Sequence, residues 1–263
     1  MHHKLAFSLV ELSIVLVILG LLTGGILTGQ SLIRAAELRS VGTQFQSFHT
    51  AVQSFRDKYF ALPGDMRNAT TFWGSAGGSG TLGDGCQTAT GTGTQTCNGD
   101  GNGRIASNPF AAGTYAEIFT FWQHLSNAGL IEGTYTGKAG SVSLQDHDFG
   151  INAPAAKLGN MGWGSSWINN EPDTISYVWT LDYSSWMSIG ADNNIYAGQA
   201  KAMTPQEAWN LDQKFDDGLP GLGRVHGTSI TCSDQTDNAN WKIAKYLLTS
   251  TTMECSLVFN YLK

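Results

Sequence analysis

Residues 7–29 read FSLVELSIVLVILGLLTGGILTG, an apolar run of 23 residues in which Glu11 is the only charge. As a helix rising about 1.5 Å per residue, it reaches ~34 Å, enough to cross a bilayer core of roughly 30 Å. The pattern does not stop at the end of the run. Leu38, Val41, Phe45, Phe48, Val52, Phe55 and Tyr59 recur at steps of three and four, one apolar stripe on a helix. Arg34, Glu37, Arg39, Gln44, Gln46, Gln53, Arg56, Asp57 and Lys58 fall on the other sides. The expectation is a single helix of ~80 Å whose first half lies in lipid or against a neighbouring subunit and whose second half carries a folded head. Pro63-Gly64 ends it.

Glu11 makes the anchor specific. A carboxylate in a spanning helix costs on the order of 3 kcal/mol and needs a partner. No Lys or Arg lies between Phe7 and Ser31, so the remaining candidate is a free amino terminus, which a cut before Phe7 would create. Here the sequence resembles the type IV prepilin and pseudopilin family, with a short basic leader, a cut before Phe and Glu as the fifth mature residue; the matching residues are Lys4, Ala6, Phe7 and Glu11. The family carries Gly before the cut, where this chain has Ala6.

The resemblance implies cleavage by a prepilin peptidase between Ala6 and Phe7 and methylation of the new amine. It further implies polymerisation through the helix, with Glu11 paired to the Phe7 amine of an adjacent subunit. The implied partners are other pilin-like subunits in a homo- or hetero-polymer, the peptidase, an inner-membrane assembly platform and the membrane itself. The implied location is a single pass through a bacterial inner membrane with the head in the periplasm, then an extracellular pilus or periplasmic pseudopilus. An uncleaved signal anchor or secretory signal peptide is the plainer alternative; a signal core is shorter, at about 7 to 15 residues, and carries no such charge.

The expected fold is α+β, a pilin-like long helix packed on a head with an antiparallel sheet. The divisions are a leader (1–6), a transmembrane and assembly segment (7–30), an amphipathic continuation (31–59) and a head (60–263) with an insertion at 74–103. The 263 residues contain 41% hydrophobic residues and 8 Trp, enough for a real core, and the net charge of −6 gives no electrostatic reason to bind nucleic acid. Four cysteines allow three pairings; proximity in sequence favours Cys86–Cys97 and Cys232–Cys255, bonds suited to an oxidising compartment.

The insertion is Gly- and Thr-rich, with 11 Gly in 30 residues. It ends in CNGDGNGRI (97–105), where Asn98, Asp100, Asn102, Gly103 and the Arg104 carbonyl follow the opening of a calcium loop. Pro109 stands where the closing Glu belongs, leaving Glu117 as the candidate to close the site. The competing reading is a glycine-rich turn with Asx hydrogen bonds. TYAEIFTFWQHLSNAGLI (114–131) reads as a helix stopped by Gly129, and ISYVWTLDY (175–183) as a strand. Trp163, Trp167, Trp179 and Trp186 form either a glycan platform or core.

Thr204, Pro205 and Glu207 spell a capped helix start. Beyond it, Asp212, Asp216 and Asp217 crowd together and repel unless a cation, Lys214 or Arg224 sits among them. The resemblance adds calcium in a C-terminal loop as a second expected site. SLVFNYLK (256–263) alternates like a strand on the long helix. No G-x-S-x-G, H-E-x-x-H, C-x-x-C or complete P-loop is present. The leading expectation is therefore a non-enzymatic filament subunit. The alternatives are a minor or tip subunit acting as an adhesin or ligand-binding head, and, further off, a membrane-tethered enzyme.

Overall fold

The computed structural model describes residues 9–78, 86, 91, 93–106, 114–143, 145–168, 179, 184–192, 200–227 and 230–261. The long helix α1 runs unbroken over Leu9–Tyr59, with Arg56 and Lys58 in its last turn where they complement the helix dipole. Its buried residues, Val41, Gly42, Phe48, Ala51, Val52 and Phe55, all lie in the second half. Leu38, Phe45 and Tyr59 pack against the same core from its edge. Burial of side chains of this size contributes roughly 1.5–3 kcal/mol each, before the entropy of ordering them.

After the short helix α2 (Ala69–Trp73) comes α3 (Glu117–Asn127), closed by Gly129 at φ +72°. A four-stranded antiparallel sheet follows, in the spatial order β1 (Met161–Ile168), β2 (Ser184–Ala191), β4 (Leu257–Asn260), β3 (Val225–Gly227). Trp163 pairs with Ile189, Met187 with Phe259, and Phe259 with Val225. Alternation therefore sends Trp163, Met187, Ile189, Phe259 and Val225 to one face, and these belong to the core that holds α1. Phe45 stacks on Phe259 at 4.4 Å between centroids, and Phe48 meets Trp122 and Trp163 edge-on at 5.2 and 5.4 Å.

The opposite face carries Trp186 and Val258, covered by Trp179 and Ala244. The fold is thus α+β, a long helix laid on an antiparallel sheet. Most of the expected strand at 175–183 lies outside the described residues.

α4 (Pro205–Phe215) starts as its sequence spells: Thr204 Oγ1 accepts from Glu207 N, and Glu207 accepts from Thr204 N. It fastens the head to α1 at two points. Arg34 donates Nε to Glu207 Oε1 (2.7 Å) and Nη2 to Oε2 (3.0 Å), a fork on a carboxylate. Burial alone would raise the Glu207 carboxyl; the guanidinium overrides it and holds it below its ordinary value. Eight residues on, a methyl group at Gly42 would fall inside the Phe215 ring, so glycine there admits the close approach. Both expected disulfides are present, Cys86–Cys97 and Cys232–Cys255.

Candidate functional site

Below Arg34 none of the described head residues encloses the long helix. Its large aliphatic residues from Leu9 to Ile33 are 49–85% exposed, and its most apolar 18-residue window, of mean hydropathy 2.4, is 0% buried. An apolar surface this large marks a membrane or a partner. The helix also closes its own polar groups: Ser13, Thr23, Thr28 and Ser31 donate their hydroxyls to the carbonyls of Val10, Leu19, Gly24 and Thr28 at 2.7–2.9 Å. Hydroxyls satisfied this way can enter hydrocarbon without a stranded donor. Gly20, Gly24, Gly25 and Gly29 have open space where a Cβ would stand, so no contact among the described residues calls for them. Glu11 lies in the first turn of α1; Ala6 and Phe7 lie outside the described residues.

The calcium-loop segment is brought to α3, though not in the expected way. Asn98 Oδ1 accepts from Thr70 N, and Asn102 Oδ1 from Arg104 N. The Asn98 amide therefore ties the loop to the start of α2, and the Asn102 amide holds a local turn. Asp100 instead joins Glu117 and Asp65, carboxylate oxygens of the three lying within 4.8 Å of one another. Asp65 accepts from Asn102 N and Gly103 N, both at 2.9 Å; Glu117 accepts from Asp100 N (3.0 Å) and Ala106 N (2.8 Å). Burial pushes Glu117 up to about 7 against those two N–H bonds, with Asp100 and Asp65 adding to the rise. Burial likewise takes Asp65 to about 6.

Arg67 reaches the carbonyls of Asp100 and Gly101, and Arg104 lies over the Trp167 ring at 4.1 Å. Among the described residues neither forms an ion pair with the three acids. A hard cation here would be held by Asp65, Asp100 and Glu117, with the Asn98 and Asn102 oxygens left on the Thr70 and Arg104 N–H groups. Sequence reading finds Asp100 and Glu117 but misses Asp65, whose only signal is its position after Pro63-Gly64.

Asp212, Asp216 and Asp217 also converge within 4.8 Å. Neither Lys214 nor Arg224 forms an ion pair with them among the described residues; Lys214 lies over the Phe215 ring. Backbone donors serve instead. Asp212 accepts from Gly218 N (3.2 Å) and Tyr246 Oη (2.8 Å), Asp216 from Arg224 N and Val225 N, and Asp217 from Leu219 N. Burial drives fully buried Asp212 up to about 7, and its two acidic neighbours add to the rise. With both Asp212 oxygens already accepting, the cluster serves chiefly to tie α4 to the loop before β3.

Comparison with protein-family models, with curated proteins and with solved structures finds no match. The remaining sequence candidates are structural. His124 is fully buried, its Nδ1 accepting from Gly64 N and its Nε2 facing Thr96 Oγ1 at 3.0 Å; desolvation takes it down to about 3, so it stays neutral. Trp163, Trp179 and Trp186 are buried in the two cores. Those three form no exposed aromatic platform; Trp167, the fourth of the group, is half-buried with Arg104 over its ring.

Proposed function

We propose that the chain is a structural subunit of a type IV pilus or pseudopilus, cut before Phe7 and polymerised through α1. The observation that carries this reading is the division of one helix. Its upper half is gripped by a disulfide-bonded head, while its lower half is apolar on all sides, unburied, internally satisfied and marked by one carboxylate, Glu11. A helix of that composition rests in the inner membrane before assembly and against like helices afterwards. Glu11 then meets the Phe7 amine of a neighbour, which neutralises a charge that neither lipid nor a helical core tolerates alone. Gly20, Gly24, Gly25 and Gly29 let neighbouring backbones approach. The head, with Trp122, Trp163, Trp179 and Trp186 buried in its cores, presents the outer surface of the subunit.

The test is filament shearing from the native host. Wild-type protein should appear in sheared surface or periplasmic fibres. Glu11→Ala should leave the protein at normal level in the inner membrane and remove it from the fibres. Equal amounts of both proteins in the fibres would rule out the assembly role of Glu11.

A further inference from the structure

Phe60 follows the last residue of α1 and closes the helix, its N–H donating to the Arg56 carbonyl at 2.8 Å with φ at +54°. That left-handed conformation suits glycine at a helix end and strains a residue with a bulky side chain; α3 meets the same need with Gly129. The Phe60 ring recovers little within the chain. It is 94% exposed, more than any other large apolar residue among those described. A bilayer that holds the apolar half of α1 does not reach it, because Phe60 stands ~40 Å up the helix from Ile33. Strained positions of this kind persist where a ligand or partner uses them.

The ring forms part of the wall of a cleft of about 930 Å³ between the end of α1 and the loops at 65–68 and 101–103. That size falls within the roughly 300–1,000 Å³ of small-ligand sites. Arg56, Asp57, Arg67 and Asn68 line the cleft too, all four exposed, and their hydrogen-bonding capacity is largely unspent. Arg56 gives only Nη1, to Gln53 Oε1 at 3.3 Å; Arg67 gives Nε and Nη2 to the carbonyls of Asp100 and Gly101 and keeps Nη1. The Asn68 side chain makes no cap bond to α2, and among the described residues Asp57 forms no ion pair. Asp65 also lines the cleft, buried, with its oxygens on the Asn102 and Gly103 N–H groups.

The charged side chains of the lining, two guanidiniums and two carboxylates, balance. An anion meets Asp57 and Asp65, and a cation meets Arg56 and Arg67, so neither is favoured. A wholly apolar ligand would strip water from these groups and return no bonds. A neutral molecule rich in hydroxyls answers both sets, donating to Asp57 and accepting from Arg56, Arg67 and Asn68 in bonds that are mostly charge-assisted. The apolar C–H face of its ring then rests on the Phe60 ring, which also removes exposed apolar surface from water. We propose that this cleft binds a neutral saccharide, with Phe60 as its platform and Arg56, Asp57 and Arg67 as its hydroxyl partners. The site belongs to the head and stands whether or not the chain polymerises.

The experiment uses the full chain in lauryldimethylamine oxide micelles, which carry no sugar. The probes are an array of neutral oligosaccharides of glucose, galactose, mannose and N-acetylglucosamine, beside sulfated and uronic-acid sets, and the strongest binder is titrated by saturation-transfer NMR. Wild type should bind a neutral oligosaccharide at millimolar concentration or below. Asp57→Asn and Phe60→Gly should each weaken that binding at least tenfold. Phe60→Gly should also keep or raise the Tm, since glycine relieves the backbone at that position, and lost binding then cannot be put down to lost folding. The proposal is overturned if no neutral oligosaccharide binds, if only the charged sets bind, or if either variant keeps the wild-type affinity. A clear fall in Tm for Phe60→Gly would show that the ring serves the fold, which also overturns it. So does a Phe60→Gly chain that binds sugar normally yet disappears from sheared fibres, since the ring then serves a contact between copies.

Discussion

Raising the pH should loosen the head, and Glu117 supplies the clearest share of the effect. Its carboxyl moves from 4.5 to about 7 in the fold, chiefly through burial. A group whose folded value is raised binds its proton more tightly folded than unfolded. Its contribution is fully present below 4.5 and is lost as pH rises through about 7. At about 1.36 kcal/mol per pH unit the loss is at most ~3 kcal/mol, and side-chain relaxation and water entry bring the expectation to ~1–3 kcal/mol between pH 5 and pH 8.

Asp65, raised to about 6, and Asp212, raised to about 7, act with the same sign. The assay is urea unfolding of the full chain in micelles with chelator, followed by Trp fluorescence at pH 5, 6, 7 and 8. Wild-type stability should fall across the series, and Glu117→Gln, which removes one titration, should flatten the slope whatever it does to the absolute value. A wild-type profile that is flat or rises with pH would refute the reasoning. So would a Glu117→Gln slope equal to wild type.

Other perturbations read the packing. Phe48→Ala removes the ring that joins α1 to Trp122 and Trp163; it should cost ~3–5 kcal/mol by urea unfolding, and a loss under ~1 kcal/mol would mean the helix is held elsewhere. Replacing Cys232 and Cys255 together by Ser opens a loop with a sequence separation of 23. Stability should drop by ~3 kcal/mol on the loop-entropy account, and an unchanged urea midpoint would contradict the view that this bond ties the β4 end of the chain to the head.

The main helix was legible because its stripe at Val41, Phe48, Val52 and Phe55 is the part buried, and a spacing of three and four has few other readings. The cap at Thr204 and the two disulfides were legible for similar reasons: each joins residues near in sequence. What stayed hidden depends on distant pairing. MGWGSSWI of β1 has two glycines and no clean alternation; it becomes a strand by pairing with β2, whose other neighbour is β4. Asp65 joins Asp100 and Glu117 from a turn 35 residues away, and Arg34 meets Glu207 across 173 positions. No local pattern announces such meetings. The Asn102 amide is the reverse case, a residue whose spacing suits a cation loop but whose oxygen satisfies the Arg104 N–H two residues on, while Asn98 is taken by Thr70 N across 28 positions.

The filament-subunit account depends most on what happens before Phe7. Intact mass and N-terminal sequencing of the protein from cells with and without the prepilin peptidase address it directly. The account predicts a chain that begins at Phe7 with one added methyl group when the peptidase is present, and an uncut chain when it is absent. A chain that keeps Met1 in both strains, or that is cut beyond about residue 20 as a signal peptide would be, would contradict it, and α1 would then be an anchor or export signal only.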